Sequence, residues 1–228
     1  MAAPPEEPSL LQRARAAPIT FGLVALNSAA FLWAETHGGT TRGGSLFRDS
    51  ALEPLHVWAG EYWRLVTYMF MHQGWIHVMM NMYVLVGWGA VLERTLGKRR
   101  FLLLYMLAGI GGGAASLVSG QLFELHSSVG ASGALFGIIG AVLAVRRRQL
   151  GNFSAFLADR AIRSLLLQIG LWTVIGSVAL HLDNAAHFGG FAVGFAVCWL
   201  YGSRSPRVGW VALSAGLALL LGLAVRPW

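Results

Sequence analysis

Seven long apolar runs dominate this chain and restrict what it can fold into. They cover Ile19–Ala34, Ile76–Leu92, Phe101–Val118, Ser132–Val145, Ile162–Leu180, Ala185–Tyr201 and Val208–Val225. Most reach the roughly 17 to 20 residues that an α-helix needs to cross about 30 Å of hydrocarbon. Because 56% of the 228 residues are hydrophobic and only 12% are charged, a soluble domain could not bury this much apolar surface. We therefore expect an all-α polytopic membrane protein.

The basic residues predict how these helices are oriented in the membrane. If the N-terminus is cytoplasmic, most of the 17 Lys and Arg residues fall in cytoplasmic segments, in clusters such as 94–100, 146–148 and 160–163. This asymmetry is typical of cytoplasmic loops, so the net charge of +7 does not indicate a nucleic-acid partner. We expect a multi-pass protein of the plasma (inner) membrane with a cytoplasmic N-terminus, and the Ala-, Gly- and Arg-rich composition favours a bacterial source.

The segments between the runs divide the chain into three parts. Residues 1–17 are rich in Pro and charge and predict a disordered cytoplasmic tail. Residues 18–201 would form a six-helix core, in which residues 35–71 make a structured outer loop with interfacial Trp side chains. Residues 202–228 would supply a linker and an extra C-terminal transmembrane helix. The single cysteine, Cys198, lies in an apolar run and is interpreted as a packing residue.

Polar side chains within the apolar runs are costly, and they indicate function when several converge. Counted from the nearest cytoplasmic Arg at helical rise, Ser132 and Asn81 lie about 20 Å up, and His77 and His187 lie about 25 Å up. Four polar residues on three predicted helices thus share one level, roughly 5 to 10 Å below the outer hydrocarbon boundary. Two more polar residues lie at the mouths of these helices: His72 and Asn184.

The run that begins at Ser132 is short, and its shortness has a consequence. The preceding segment, QLFELHSSVGA, must enter the bilayer as non-helical backbone. Such backbone is tolerated only where it lines a water-filled cavity or is buried in protein. Water could therefore reach Ser132, and the free amide N–H groups at the helix start would favour developing negative charge.

Glycine spacing predicts which helices pack together. In HFGGFAVG, His187 shares a helix face with Gly190 and Gly194, and the helix of Ser132 offers a small-residue stripe that starts at Gly133. Close contact of the two faces would bring the Ser132 hydroxyl within hydrogen-bonding reach of the His187 ring. A serine activated by a histidine is the nucleophile and base arrangement of acyl transfer.

Other interpretations of these residues are weaker. Asp183 lies four residues before His187, so its carboxylate either orients the ring or is simply solvated at the helix mouth. A zinc site is disfavoured because the chain has no H-E-x-x-H motif. The G-x-S-x-G fingerprint of α/β-hydrolases is not met, because Ala134 replaces its last glycine.

Five motifs, taken in order, resemble those of the rhomboid intramembrane serine proteases over roughly residues 19–201. EYWRLVTYMFMH resembles the Trp-Arg motif of their outer loop, and HQGWIHVMMN resembles their His-x-x-x-x-His-x-x-x-Asn, carried here by His72, His77 and Asn81. ERTLGKRR is similar to Glu-x-x-x-Gly, GASG to Gly-x-Ser-Gly, and NAAHFGGFAVG to the segment with the family's histidine. The resemblance implies a six-helix rhomboid core plus a seventh C-terminal transmembrane helix.

The resemblance also implies a role for each site residue. Ser132 would be the nucleophile and His187 the general base and acid of a dyad without a carboxylate. The oxyanion would be held by the Ser132 N–H and the side chains of His77 and Asn81. Phe136 stands where many relatives have tyrosine and keeps a ring that can stack on His187. The supporting residues would be His72, Gly130, Gly133, Phe136, Asn184, Gly190 and Gly194.

The function expected from the sequence is therefore that of a serine endopeptidase. It would hydrolyse peptide bonds of single-pass membrane proteins in or near the outer half of the bilayer through a Ser-His dyad. Its partners would be transmembrane segments of substrates and the lipid bilayer, with no nucleic acid, cofactor or metal. A pseudoprotease would be expected to lack the serine or histidine, and a transporter would be expected to carry acidic residues within its spans, which these runs hardly contain.

Overall fold

The computed structural model describes residues 9–38, 44–124, 126–175, 183–201 and 206–226. Within these ranges helices dominate, and extended pairing is confined to an isolated antiparallel bridge between Leu52 and Ser128. The helices before Gly97 are α1 (Leu10–Ala16), α2 (Pro18–Thr36), α3 (Ser45–Ser50), α4 (Pro54–Trp58), α5 (Arg64–Thr67), α6 (Trp75–Val84) and α7 (Ala90–Leu96). After Gly97 they are α8 (Lys98–Leu122), α9 (Ser132–Gln149), α10 (Phe153–Ala158), α11 (Arg160–Ile175), α12 (Asn184–Tyr201) and α13 (Pro206–Ala224).

Three helical stretches in the described part are long and apolar enough to cross a membrane: Pro18–Thr36, Trp75–Leu96 and Lys98–Leu122. The second of these joins α6 to α7 through a π-helical turn at Leu85–Gly89. Within the described residues, each of the seven predicted apolar runs contains a helix, which confirms the all-α class. The run predicted at 162–180 is helical as far as Ile175, and its remainder lies outside the described residues.

The segment predicted to be a disordered tail contains helix α1. Ser9 accepts a hydrogen bond from the Gln12 amide (3.3 Å), and the Gln12 side chain accepts one from the Ser9 amide (2.8 Å). This reciprocal capping box satisfies two amide groups at the helix start. Local capping therefore gives this stretch a helix that its Pro-rich, charged composition did not predict.

Helix α2 is fixed to α7 by the buried carboxylate of Glu93. This carboxylate accepts hydrogen bonds from the Ile19 amide (3.0 Å), the Thr20 amide (2.7 Å) and the Thr20 hydroxyl (2.8 Å). A negative charge is favourable at a helix N-terminus, where the amide groups have no partner within the helix. Glu93 therefore holds the first long helix against the second.

Helices α8, α9 and α12 form the tightest part of the fold, because glycines let their backbones touch. A Cβ at Gly190 or Gly194 would overlap the main chain of α9 at Gly133 or Gly137. A Cβ at Gly112 of α8 would lie 2.7 Å from the Ala186 carbonyl oxygen. The first turn of α12 is thus wedged between α8 and α9, and this packing positions the candidate site.

The outer loop is organised around the buried guanidinium of Arg64. It donates to the carbonyl oxygens of Arg48 (2.6 Å) and Ala51 (2.9 Å) and to the carboxylate of Glu61 (2.7 Å). The Trp58 indole N–H donates to the Ala224 carbonyl at the end of α13 (2.9 Å). These bonds fix the described part of the loop, residues 44–74, and tie it to α13.

Candidate active site

Ser132 and His187 meet where α9 and α12 begin. Ser132 is the first residue of α9, and His187 lies in the first turn of α12. The Ser132 Oγ lies 2.8 Å from Nε2 of His187. The ring of Phe136, one turn further along α9, stacks on the imidazole at 4.2 Å between centroids and 4° between planes. Close packing at Gly190 brings the two helix starts together, and the aromatic stack limits rotation of the imidazole.

The contacts of the two ring nitrogens of His187 indicate which tautomer the site uses. Its Nδ1 is buried and has no hydrogen-bond partner among the described residues. If Nε2 accepts the Ser132 hydroxyl proton, the ring proton is on Nδ1. Asp183 does not contact that nitrogen, because its carboxylate accepts the Ala186 amide (2.9 Å) and faces His126. Among the described residues, the His187 ring thus bonds to the Ser132 hydroxyl and to no carboxylate.

His77 and Asn81 share one face of α6 and approach the backbone just before Ser132. Gly130, with φ +118°, allows this approach, since a Cβ there would lie 2.7 Å from Nε2 of His77 and 3.5 Å from Nδ2 of Asn81. The Gln73 amide donates to Nδ1 of His77 (3.3 Å), which leaves the ring proton on Nε2. Nδ2 of Asn81 is buried without a partner in the described structure. Two N–H donors therefore lie beside Gly130, two residues before the candidate nucleophile.

The remaining predicted residues surround this centre. His72 is buried, and its ring lies edge-on to His77 with 5.1 Å between centroids. Gly133 makes room for the Tyr68 hydroxyl, which would lie 3.2 Å from a Cβ at that position. Asn184 is the first residue of α12. Among the described residues no group of three or more His, Cys, Asp or Glu could hold a metal ion.

A family model described as the Rhomboid domain matches residues 59–204 of the chain. The chain belongs to the rhomboid family. The matched segment includes every residue of the candidate site, from His72 to Gly194. The rhomboid match and the geometry thus select the same part of the molecule.

Several curated rhomboid relatives align with the chain. Rhomboid protease GluP of Bacillus subtilis (strain 168) is 35% identical over 207 residues, which are 90% of this chain and 39% of GluP. RHOMBOID-like protein 5 of Arabidopsis thaliana is 38% identical over 168 residues, 73% of this chain and 52% of that protein. YdcA of Bacillus subtilis is 34% identical over 166 residues, 71% of this chain and 79% of YdcA. The chain thus spans about two fifths of GluP and half of the Arabidopsis relative.

Two supporting features of this rhomboid site were not predicted from the sequence. The loop before Ser132 is tied to the outer loop by a pair of bonds between Leu52 and Ser128 (2.9 and 3.1 Å), and the Gly130 amide donates to the Tyr68 carbonyl (2.9 Å). Gly111 and Gly112 of α8 face α12, where a Cβ would meet Val193 or the Ala186 carbonyl oxygen, and both stand in the run GIGGG at residues 109–113 that the sequence displays. The loop contacts leave no comparable sign, because a single bridge has no alternating pattern.

Proposed function

We propose that this rhomboid is an intramembrane serine endopeptidase that cleaves single-pass membrane proteins in or near the outer half of the bilayer. The observation that carries the proposal is the 2.8 Å contact between the Ser132 hydroxyl and Nε2 of His187. A serine hydroxyl is a weak nucleophile unless a base accepts its proton, and His187 is the base within reach. The pairing supports acyl transfer with Ser132 as nucleophile and His187 as general base and acid.

The proposed reaction has two halves. Ser132 Oγ attacks the scissile carbonyl carbon while its proton moves to Nε2 of His187, which then donates that proton to the departing amine. The resulting acyl-enzyme is attacked by water, whose proton His187 accepts and then returns to Ser132 Oγ. Each half passes through a tetrahedral oxyanion, for which the Ser132 amide and the side chains of His77 and Asn81 are the proposed donors.

The proposed topology has six core spans and one C-terminal span. The spans are α2, the α6–α7 stretch, α8, α9, α11, α12 and α13. Arg100 lies over Tyr201 (4.1 Å) and Arg148 over Trp199 (5.3 Å), so basic residues of α8 and α9 collect at the end of the bundle away from Ser132. The positive-inside rule favours that end as cytoplasmic. We accordingly propose a cytoplasmic N-terminus and an active site near the outer side, and on the Ala-, Gly- and Arg-rich composition we propose a bacterial plasma membrane as its location.

The decisive test is labelling of the purified protein with a fluorophosphonate, combined with cleavage of a model single-pass substrate. The parent protein should be labelled, and Ser132→Ala should be neither labelled nor active. His187→Ala should lose cleavage while remaining inserted and folded. Ser214→Ala, at an exposed position of α13, and His56→Ala, at an exposed position of α4, are the matched controls. Turnover of Ser132→Ala or His187→Ala near the parent level would refute the dyad.

A further inference from the structure

A second histidine links the loop that leads to Ser132 with the start of α12. His126 lies in the connection between α8 and α9, and its Nε2 is 3.4 Å from Oδ2 of Asp183. Its Nδ1 lies 3.0 Å from the Glu124 carbonyl oxygen. Neither His126 nor Asp183 has a part in the dyad mechanism. The pair nonetheless connects the two segments that carry the dyad.

Asp183 is bound tightly to the first turn of α12. Its Oδ1 accepts the Ala186 amide (2.9 Å), which caps the helix, and its main-chain oxygen accepts the amide of His187 itself (3.2 Å). A capping carboxylate satisfies an amide that the helix cannot pair. The position of Asp183 therefore sets the position of the turn that presents the His187 ring.

His126 is placed five residues before Ala131 in a loop that is held on its other side by the outer loop. The Leu52–Ser128 bridge and the bond from the Gly130 amide to the Tyr68 carbonyl fix that side. These bonds do not reach α12. The His126–Asp183 contact supplies a side-chain link in that direction.

We propose that His126 and Asp183 are positioning residues. Their ion pair holds the loop that precedes Ser132 and the first turn of α12, which carries His187, in the relative position that the dyad needs. The inference rests on the proposed function, because it concerns the same dyad. A dyad is sensitive to such a link because a displacement of about 1 Å in a reacting pair can cost a large part of the rate.

The charges support this role. The contact with the Asp183 carboxylate raises the pKa of His126 to about 9, although burial opposes the shift. Burial acts to raise the pKa of Asp183, but its contacts with His126 and Ser116 and the hydrogen bond from the Ala186 amide outweigh that effect and keep the pKa below its usual value. The pair is therefore charged at neutral pH.

The pH dependence of the link follows from these groups. Glu124 also acts on His126, and the Glu53 carboxylate accepts the hydroxyl of the neighbouring Ser127. Tyr68 and His187 lie within electrostatic range of Asp183. Because the pKa of His126 is raised, the ionic contact is complete at neutral pH and is lost as the pH rises through about 9.

The test compares Asp183→Asn, His126→Gln and the double variant with the parent. Asn at 183 can still cap α12 through its side-chain oxygen, so this change removes the ion pair and keeps the cap. His56→Gln is the matched control, because His56 also contacts a carboxylate, Glu61 at 3.0 Å, on the outer loop away from α12. The values of kcat and KM are measured on one model substrate between pH 7 and 10, per active site titrated with fluorophosphonate.

Each single variant should lower kcat about two- to fivefold at pH 7 and leave KM unchanged. This fold-change corresponds to the interaction free energy of a partly exposed ion pair. The double variant should lose no more than the worse single variant, because both changes remove one interaction. The ratio of parent to His126→Gln kcat should fall toward one above pH 9. A double loss equal to the product of the single losses, an unchanged kcat, or a ratio independent of pH would overturn the proposal. Failure of the parent itself to label or cleave would instead refute the proposed function.

Discussion

The glycine contact between α9 and α12 provides a sharp test of how the fold produces the site. Gly194 packs against the backbone of Gly137, and a Cβ at 194 would overlap the main-chain atoms of that residue. Backbone atoms cannot rotate away as a flexible side chain can. In Gly194→Ala the two helices must therefore separate, and their separation moves the starts that carry Ser132 and His187.

The expected magnitude follows from the size of that movement. Restoring an ordinary carbon contact of about 3.5 Å requires a shift of roughly 1 Å or more at residue 194. Overpacking of this kind costs about 1 to 3 kcal/mol of stability, partly offset by the helix propensity of Ala over Gly, about 1 kcal/mol. A misplacement of about 1 Å at the dyad costs on the order of 100-fold in rate. The cleavage rate should consequently fall strongly, while the free energy of unfolding decreases only modestly.

The assay measures the rate of fluorophosphonate labelling and of substrate cleavage, together with the thermal unfolding midpoint in the same detergent. Gly216→Ala is the matched control, because this residue lies in α13 and a Cβ there meets nothing within 4 Å. The control should keep the parent rate, and its midpoint should stay at the parent value or rise slightly, because Ala favours the helix over Gly. If Gly194→Ala labelled and cleaved at the parent rate, the claim that backbone contact sets the dyad distance would be wrong.

Two further predictions concern the oxyanion and the substrate. Asn81→Ala should lower kcat by about 100- to 1,000-fold, the worth of one oxyanion donor, and steady-state kinetics would contradict this role if KM alone rose. Substrates should be cut near the outer end of their transmembrane helix, after a small residue such as Ala or Ser and close to helix-destabilising residues such as Gly or Pro, because an intact helix keeps its carbonyls hydrogen-bonded. Mass spectrometry of the products locates the bond, and indifference to Phe in place of the small residue would contradict the narrow cavity expected among the glycines.

The helices were predictable from the sequence because their causes are local. The apolar run at Ile19–Ala34 is the helix Pro18–Thr36, and α9 begins at Ser132, where its apolar run begins. The meeting of Ser132 with His187 also follows from a local pattern, since glycines at helical spacing mark faces that can approach closely.

The supporting contacts were not predictable, because they join residues that are far apart in the chain and carry no periodic pattern. His126 and Asp183 belong to two different loops, and nothing in either loop identifies the other. The π-helical turn at Leu85–Gly89 is similarly hidden, because it interrupts a run whose apolar character continues unchanged. Only the packed structure shows where such segments meet.

Substitutions at Asn81 and at Gly194 should differ in their effects on stability and activity. A buried donor without a partner, such as Nδ2 of Asn81 among the described residues, costs about 1 to 3 kcal/mol. Under the proposed mechanism this donor gains its partner only when the oxyanion forms. The unpaired donor therefore destabilises the folded enzyme, and its hydrogen bond stabilises the transition state. Removing the amide should therefore slow the reaction without weakening the fold, whereas a methyl group at Gly194 should harm both. The close backbone contact of α9 with α12 contributes the packing that lets the fold tolerate unpaired polar groups beside Ser132.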